Sequence, residues 1–465
     1  MAQGTSNETG HLSRSLGLWA IVGLGLGYMT PTVIFDTFGI VAEETNSVVP
    51  TAYVLALIAM FFTALSYGRM TRVFPSAGSA YTYTSATIHP NVGFVIGWSS
   101  LLDYLLLPLV NALILRSYME AFFPDVPAWI WVVIVVFAVT TLVMTSMSNT
   151  SRVNGLLVGF SIVLMVVFVV LAWRGLSRGE GNGTIFSTQP LWHDDVHLGL
   201  VITGATIVCF SFIGFDAITM YTEEAKDPAL VPKAIVVTLL IGGALFFVAG
   251  WFTQSLFPDF NIFSEDSLEN SALPQIAFEV GGSLFKAFLT AAAFAATLAS
   301  GLASHASVSR MLFVMGRNGT GPIARTLSNI HPRFHTPIWS VIIVGAVSLL
   351  AIPLNLDFVA SLINFGALIA FSFVNITVIV HFAIRQKQTN GFSQIFRNVV
   401  LPLIGLFCTI VLWVNLSGES MRYGAIWLGI GVLLMLWLTK GLRAPLKIQL
   451  DEDEIATAPP PGPEF

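Results

Sequence analysis

Runs of about twenty apolar residues, parted by short polar segments, recur along this chain almost from end to end. Each run is long enough to cross ~30 Å of hydrocarbon as a helix. Twelve spans are predicted, near 17–41, 50–72, 91–120, 128–148, 154–175, 199–221, 233–256, 276–312, 338–354, 357–384, 398–416 and 422–441. The pattern is that of an all-α polytopic membrane protein with no separate soluble domain. The eighth run is long and uses Ala and Ser in place of bulky residues, which predicts a tilted helix or one that continues past the bilayer. A polar stretch, 1–16, leads straight into the first full-length span, so no cleavable signal is expected. The segment 442–465 holds Asp451-Glu-Asp-Glu454 and Pro459-Pro-Pro-Gly-Pro463 and is predicted to be a disordered tail.

Composition agrees: 55% of residues are hydrophobic and 10% charged, where a soluble domain carries about a quarter. Charge also orients the chain. With the N-terminus in the cytoplasm, sixteen of the 21 Lys and Arg fall on inner segments, and Arg116, Arg174, Arg178, Lys286 and Arg422 on outer ones. That bias predicts two cytoplasmic termini. On the same map the outer face carries fourteen acids against five bases, a field that draws cations toward it. Solubility and the basic bias of the inner face produce the same asymmetry, so it supports a cationic substrate without establishing one. Cys209 and Cys408 both fall within spans and read as small packing residues.

Three lone acids stand inside these spans: Asp36, Asp103 and Asp216. A carboxylate at bilayer depth costs roughly 3 kcal/mol or more. No Lys or Arg lies mid-span to neutralise them. The missing partner is expected to be a cationic substrate. Ser99, one turn before Asp103, is placed to hydrogen-bond it, and the adjacent Tyr104 offers an aromatic face and a hydroxyl. Asp36 lies nine residues past Gly27, ~13 Å further outward along a helix, a position for a second ammonium or an outer vestibule. Each acid has a plainer reading: a helix cap for Asp216, a tie between spans for Asp103, a helix end for Asp36.

Two spans look broken. The first contains Gly23, Gly25 and Gly27 at alternate positions before Tyr28-Met-Thr-Pro31; glycine weakens a helix and proline removes a donor. The sixth reads Cys209-Phe-Ser-Phe-Ile-Gly-Phe-Asp216. The two lie five spans apart, the offset of corresponding helices in two five-helix repeats, and such interrupted pairs point to a transporter's central site. Gly93 and Gly97, spaced by four in the third span, read instead as a close-packing face.

These residues bring a family into view. Phe210-Ser-Phe-Ile-Gly-Phe-Asp216, with Glu223-Glu-Ala-Lys-Asp-Pro228 and Pro232-Lys-Ala-Ile235, resembles the sixth-helix signature of the amino acid–polyamine–organocation permeases. Phe74-Pro-Ser-Ala-Gly-Ser-Ala-Tyr-Thr-Tyr83 resembles their segment between spans two and three, and Arg317-Asn-Gly319 their loop after span eight. Phe35-Asp-Thr-Phe-Gly-Ile-Val41, Gly97-Trp-Ser-Ser-Leu-Leu-Asp-Tyr104 and Leu362-Ile-Asn-Phe-Gly-Ala-Leu368 are similar to the bacterial putrescine importers among them.

The resemblance implies a leucine-transporter-like 5+5 inverted-repeat core over 17–384, two additional helices over 398–441, and uptake of putrescine or a close polyamine across a bacterial inner membrane. It supports Asp216 and Asp103 as substrate ligands; the residues themselves add Tyr104, Asp36 and the broken backbone at Gly23, Gly25, Gly27, Ser211, Gly214 and Phe215 to the expected site. Phe210 matches a gating aromatic of related antiporters, and Glu223 and Glu224 an inner-gate acid pair. Phe210 as plain core packing stays open. Some relatives carry a lysine in span five for proton coupling; here Ser161 and its neighbours are neutral or apolar. The resemblance implies import driven by the proton-motive force, with either Asp216 or Asp103 carrying the proton or the membrane potential pulling the dication inward. His305 reads as a packing histidine, Asn364 and Asn375 as interhelical hydrogen-bonding groups. The expected partners are a small cationic substrate, protons and membrane lipid, with no cofactor and no nucleic acid. A membrane enzyme would need a nucleophile–base set or a metal cluster, and neither is legible. An importer of basic or neutral amino acids, or a non-transporting amine sensor, is the alternative.

Overall fold

The computed structural model describes residues 16–75, 79–145, 150–184, 186–222, 225–318, 322–331 and 336–442. The predicted tail and the pair Glu223 and Glu224 lie outside the described residues, the tail save for Leu442. Seventeen helices follow in order: α1 (Leu18–Met29), α2 (Val33–Glu44), α3 (Val49–Val73), α4 (Ser79–Thr87), α5 (Pro90–Glu120), α6 (Ala128–Thr145), α7 (Thr150–Ser177), α8 (Leu198–Phe212), α9 (Leu230–Leu256), α10 (Glu265–Glu269), α11 (Leu273–Asn318), α12 (Pro322–Leu327), α13 (Ile338–Ser348), α14 (Leu356–Val378), α15 (Phe392–Ile395), α16 (Leu401–Val414) and α17 (Gly418–Leu438). Among the described residues there is no strand, only an isolated bridge between Leu16 and Ala225.

Nine of the helical segments are long and apolar enough to cross a membrane, α1 and α2 form a further, bent crossing, and two shorter apolar helices run over Ala128–Met144 and Ile338–Ala351. The twelve predicted crossings are therefore all present as helices. The eighth is the long one, as its composition predicted, with Gly282 at φ 68° kinking it.

The largest helix contacts join α3 to α9, α14 to α5, and α11 to α5. Small residues allow several of them. A Cβ on Gly243 of α9 would stand 2.6 Å from Leu57 of α3. A Cβ on Gly97 would stand 2.8 Å from Tyr81 of α4, and Gly93 presses on Ser85, so the close-packing reading of that glycine pair holds. Hydrogen bonds between spans satisfy polar groups that lipid leaves without partners. Asn375 of α14 donates to Thr63 Oγ1 at 3.1 Å and accepts from Ser66 at 2.7 Å, and Asn364 donates to the carbonyls of Thr206 and Ile207. His305 sits buried against the Val341 carbonyl at 3.1 Å. Trp98 of α5 and Trp427 of α17 stack at 4.7 Å, and each indole N–H donates to the other's backbone carbonyl at 2.9 Å.

Both expected breaks exist, but the first falls elsewhere. Gly23, Gly25 and Gly27 are all helical within α1. The chain breaks three residues past Gly27, at Thr30 (φ 46°) and Pro31, and bends by 44° into α2. Glycine costs a helix about 1 kcal/mol, and packing overrides that cost at Gly25, where an added Cβ would meet Ile218 at 2.5 Å and Thr238 at 2.8 Å. Gly23 faces open space. In the sixth span, α8 ends at Phe212, Ile213 is extended, Gly214 takes φ +122°, and a 3-10 turn, Ala217–Tyr221, resumes the span. A Cβ on Gly214 would lie 2.7 Å from Tyr28 Cβ. The two breaks therefore touch at the centre of the bundle.

Candidate substrate site at the two breaks

Asp216 opens the 3-10 turn directly after the second break. Its Oδ1 accepts the Gly214 amide at 3.2 Å and its Oδ2 accepts the Tyr104 hydroxyl at 3.4 Å. Asp103, one residue before Tyr104 on α5, is close enough for the charge of Asp216 to act on it. Asp216 is 4% exposed and Asp103 3%. Among the described residues neither forms an ion pair with a basic side chain. The structure thus brings together Asp103, Tyr104, Asp216, Gly214 and Phe215.

The expected Ser99–Asp103 hydrogen bond is absent: Ser99 Oγ and Asp103 Oδ1 are both buried with no partner. Asp103 lies instead within electrostatic reach of Asp216, and α14 runs against the Ser99–Asp103 backbone, where a Cβ on Gly366 would lie 2.6 Å from the Ser99 carbonyl oxygen. An unpartnered buried acid oxygen is costly, and a bound ammonium would relieve it.

A cluster of aromatic rings adjoins the acids through Tyr67 and Phe215. Phe215, in the break itself, lies 5.8 Å edge-on to Tyr67 and 5.3 Å from Phe371, and Tyr67 lies 5.9 Å from Phe371 and 6.2 Å from Tyr83. Tyr67 feels the charges of both Asp216 and Asp103. Tyr28, beside Gly214, reaches across to Ser307 of α11 at 2.8 Å. Tyr67, Tyr83 and Phe371 escaped the sequence reading because an aromatic inside an apolar span looks like any core residue. The one signal available was a tyrosine hydroxyl at bilayer depth, which needs a polar neighbour.

Other expected residues stand apart. Ser211 Oγ is engaged by Tyr53 at 2.9 Å, tying α8 to α3. Phe210 is buried in the last turn of α8. Asp36 is fully buried on α2, where its Oδ1 accepts from Tyr118 and Ser271, each at 2.7 Å. Its carboxyl is held by α5 and the segment before α11, not grouped with the other two acids. Gly23, Gly25 and Gly27, being helical, offer no broken backbone to a ligand.

At the end of the bundle that carries Leu16, the Lys226 amide donates to the Leu16 carbonyl at 2.9 Å, so the two broken spans are tied there by backbone. At the opposite end, the segment around α10 covers α2. Both carboxylates are sealed from solvent in this conformation.

A family model described as amino acid permease matches residues 16–437. The chain belongs to the amino acid permease family. It is 44% identical over 436 residues to the low-affinity putrescine importer PlaP of Escherichia coli K12, covering 94% of this chain and 96% of that protein. It is 27% identical over 462 residues to the branched-chain amino acid permease BcaP of Bacillus subtilis, covering 92% and 94%. It is 25% identical to the vacuolar cationic amino acid transporter 4 of Arabidopsis thaliana, over 79% of this chain and 63% of that one. The permease is thus a polytopic helical transporter with the two broken spans that the sequence led us to expect.

Proposed function

We propose that this permease is a secondary importer of putrescine or a closely related polyamine, working by alternating access. One observation carries the reading: two buried carboxylates, Asp103 and Asp216, sit together at the helix breaks with no cationic side chain paired to either, among the described residues. A diamine supplies the missing charge, and its methylenes suit the adjoining rings of Tyr67, Tyr104, Phe215 and Phe371. An ammonium over such a ring gains about 0.5–2 kcal/mol. The 44% identity to a protein named as a putrescine importer supports the same substrate class. Asp216 is the primary ammonium ligand in this reading, Asp103 the second, with Tyr104 orienting Asp216. Phe210 acts as the gating aromatic and Glu223 and Glu224 as inner-gate acids. The import is driven by the proton-motive force. The protein resides in a bacterial inner membrane with both termini in the cytoplasm, 17–384 forming the transport core and 398–441 the two additional helices. Thus the end bearing Asp36 and α10 faces outward.

The test is uptake into proteoliposomes with putrescine, spermidine, arginine, ornithine, ethanolamine and leucine compared side by side. Putrescine or spermidine is expected to be taken up fastest at low concentration. A preference for leucine or arginine would overturn the substrate assignment.

A further inference from the structure

Asp36 is left over by the substrate site, and its surroundings are unusual. It shows no exposed surface. Two hydroxyls, those of Tyr118 on α5 and Ser271 before α11, converge on one oxygen, Oδ1, while Oδ2 is buried with no partner. A carboxylate shares its charge over both oxygens and needs donors on both. Two donors on one oxygen and none on the other suit a neutral acid, with carbonyl Oδ1 and hydroxyl Oδ2, better than a carboxylate.

The same residue fastens a lid. The Ala272 amide donates to the Asp36 carbonyl at 3.3 Å, beside the Ser271 bond, and Gly39 on α2 lets the Ser267 carbonyl come into contact. Segment 264–272 is also tied to the first turn of α11: Ser267 Oγ donates to Gln275 Oε1 at 2.8 Å and the Ser264 amide to the same oxygen at 3.1 Å. Arg116 holds the lid from α5, donating to Asn270 Oδ1 at 3.1 Å. Three side chains outside the lid therefore hold it, Asp36, Arg116 and Gln275, and of these Asp36 can gain or lose a proton.

The charges around Asp36 are these. α3 presents Tyr53 and α5 presents Tyr118, both of which feel its charge. Arg116 on α5 is occupied by Glu120 at 3.7 Å, by Asn270 and by the Ala351 and Leu354 carbonyls. The lid helix α10 carries Glu265 and Glu269, α11 carries Glu279, and Asp259 precedes the turn Phe260–Ile262 that touches α2. α8 brings Cys209, and α9 brings Lys233 at its opposite end. Its own helix ends in Glu43 and Glu44. Lys286 of α11 donates to the Ala121 carbonyl, so neither it nor Arg116 pairs with Asp36 when the lid is shut.

We propose that Asp36 is a proton-binding site that locks the outer lid: segment 264–272 seals over the neutral acid and loosens when Asp36 gives its proton to the outer solution. The step is a simple equilibrium, one carboxylate plus one proton giving one carboxylic acid. Alkaline external pH should then hold the lid open and slow transport. The proposal requires the family's transport cycle but not the choice of substrate.

Two arms test it, using the full-length protein. The first needs no substrate. In the infrared difference spectrum of the wild type minus Asp36→Asn at neutral pH, a protonated-carboxyl C=O component should appear, the contribution of Asp103 and Asp216 being common to both proteins. In Tyr118→Phe it should persist and move to higher frequency, because the carbonyl loses a donor. Amide exchange of residues 264–272, corrected for its intrinsic pH dependence, should accelerate with pH in the wild type and not in Asp36→Asn. An asparagine keeps an acceptor for Tyr118 and Ser271, so this variant should fold; if it does not, the Tyr118→Phe band shift decides. The second arm is uptake against external pH. The wild type should fall at least tenfold on the alkaline side relative to Asp36→Asn, with substrate ionisation common to both. Identical C=O regions in the wild type and Asp36→Asn, or an unchanged alkaline fall in that variant, would overturn the proposal. If the wild type takes up no polyamine, the substrate reading fails alone, and the infrared and exchange results still decide the lid.

Discussion

Asp103 and Asp216 differ in how they are held, and their variants should differ in kind. Asp216 accepts two hydrogen bonds, whereas Asp103 Oδ1 has none. Asp216→Asn should weaken putrescine binding at least tenfold, about 1.4 kcal/mol, by calorimetry on purified protein. Asp103→Asn should lose affinity for the diamine while binding a monoamine such as butylamine no worse than the wild type does, because only the second ammonium lacks its ligand. Unchanged diamine binding in both variants would sink the site. These two acids were legible because a lone carboxylate in an apolar run has few structural excuses. Asp36 was legible as a buried acid but not in its role, since its partner Ser271 lies 235 residues away. No spacing rule connects such positions. The same holds for the Tyr67 and Phe371 rings, which only tertiary packing brings to the acids.

At the scale of helices, the breaks divide the glycines into two kinds. Gly214 has φ +122° and no room for a methyl group beside Tyr28, while Gly23 is helical with nothing nearby. Gly214→Ala should therefore abolish uptake or lower the melting temperature by several degrees, as a destabilisation of about 1–3 kcal/mol would. Gly23→Ala should leave uptake near wild type, with stability raised by up to about 1 kcal/mol. Thermal unfolding in detergent alongside proteoliposome uptake measures both; a tolerated Gly214→Ala would remove the argument that the breaks must touch. The existence of twelve crossings and of two breaks was legible from apolar run length and from glycine and proline. The place of the first break was not. Three glycines signalled flexibility, yet packing against Ile218 and Thr238 kept that stretch helical, and Thr30-Pro31 took the bend instead.

Across the whole molecule, charge is segregated. Asp357, at the start of α14, lies within electrostatic reach of Glu43, Glu44 and Glu269, so acids from three separate segments share the end of the bundle that carries the lid. Such a field reaches ~30 Å at 0.01 M salt and ~8 Å at 0.15 M. Putrescine uptake well below saturation should fall about twofold or more across that range. An uncharged solute carried by any relative should show little change under the same conditions. A rate indifferent to salt would leave those acids with a solubility role only. This asymmetry was legible in sequence as a count of loop acids; their gathering into one cluster depends on the folded arrangement.

The paired carboxylates also set where electrical work is done. If both are ionised when a diamine is held, the loaded centre is neutral and turns without moving net charge. The empty centre then carries two negative charges back, and an inside-negative potential, worth about 2.3 kcal/mol per charge per 100 mV, pushes that return outward. Voltage would accordingly speed the reset of the carrier and leave the passage of its cargo untouched. Net uptake should rise with potential, while exchange of internal for external putrescine, which skips the empty return, should be blind to it. Radiolabelled exchange and net uptake under potassium–valinomycin potentials measure the two. An exchange rate that climbs with voltage as steeply as net uptake would mean that the charge crosses with the substrate.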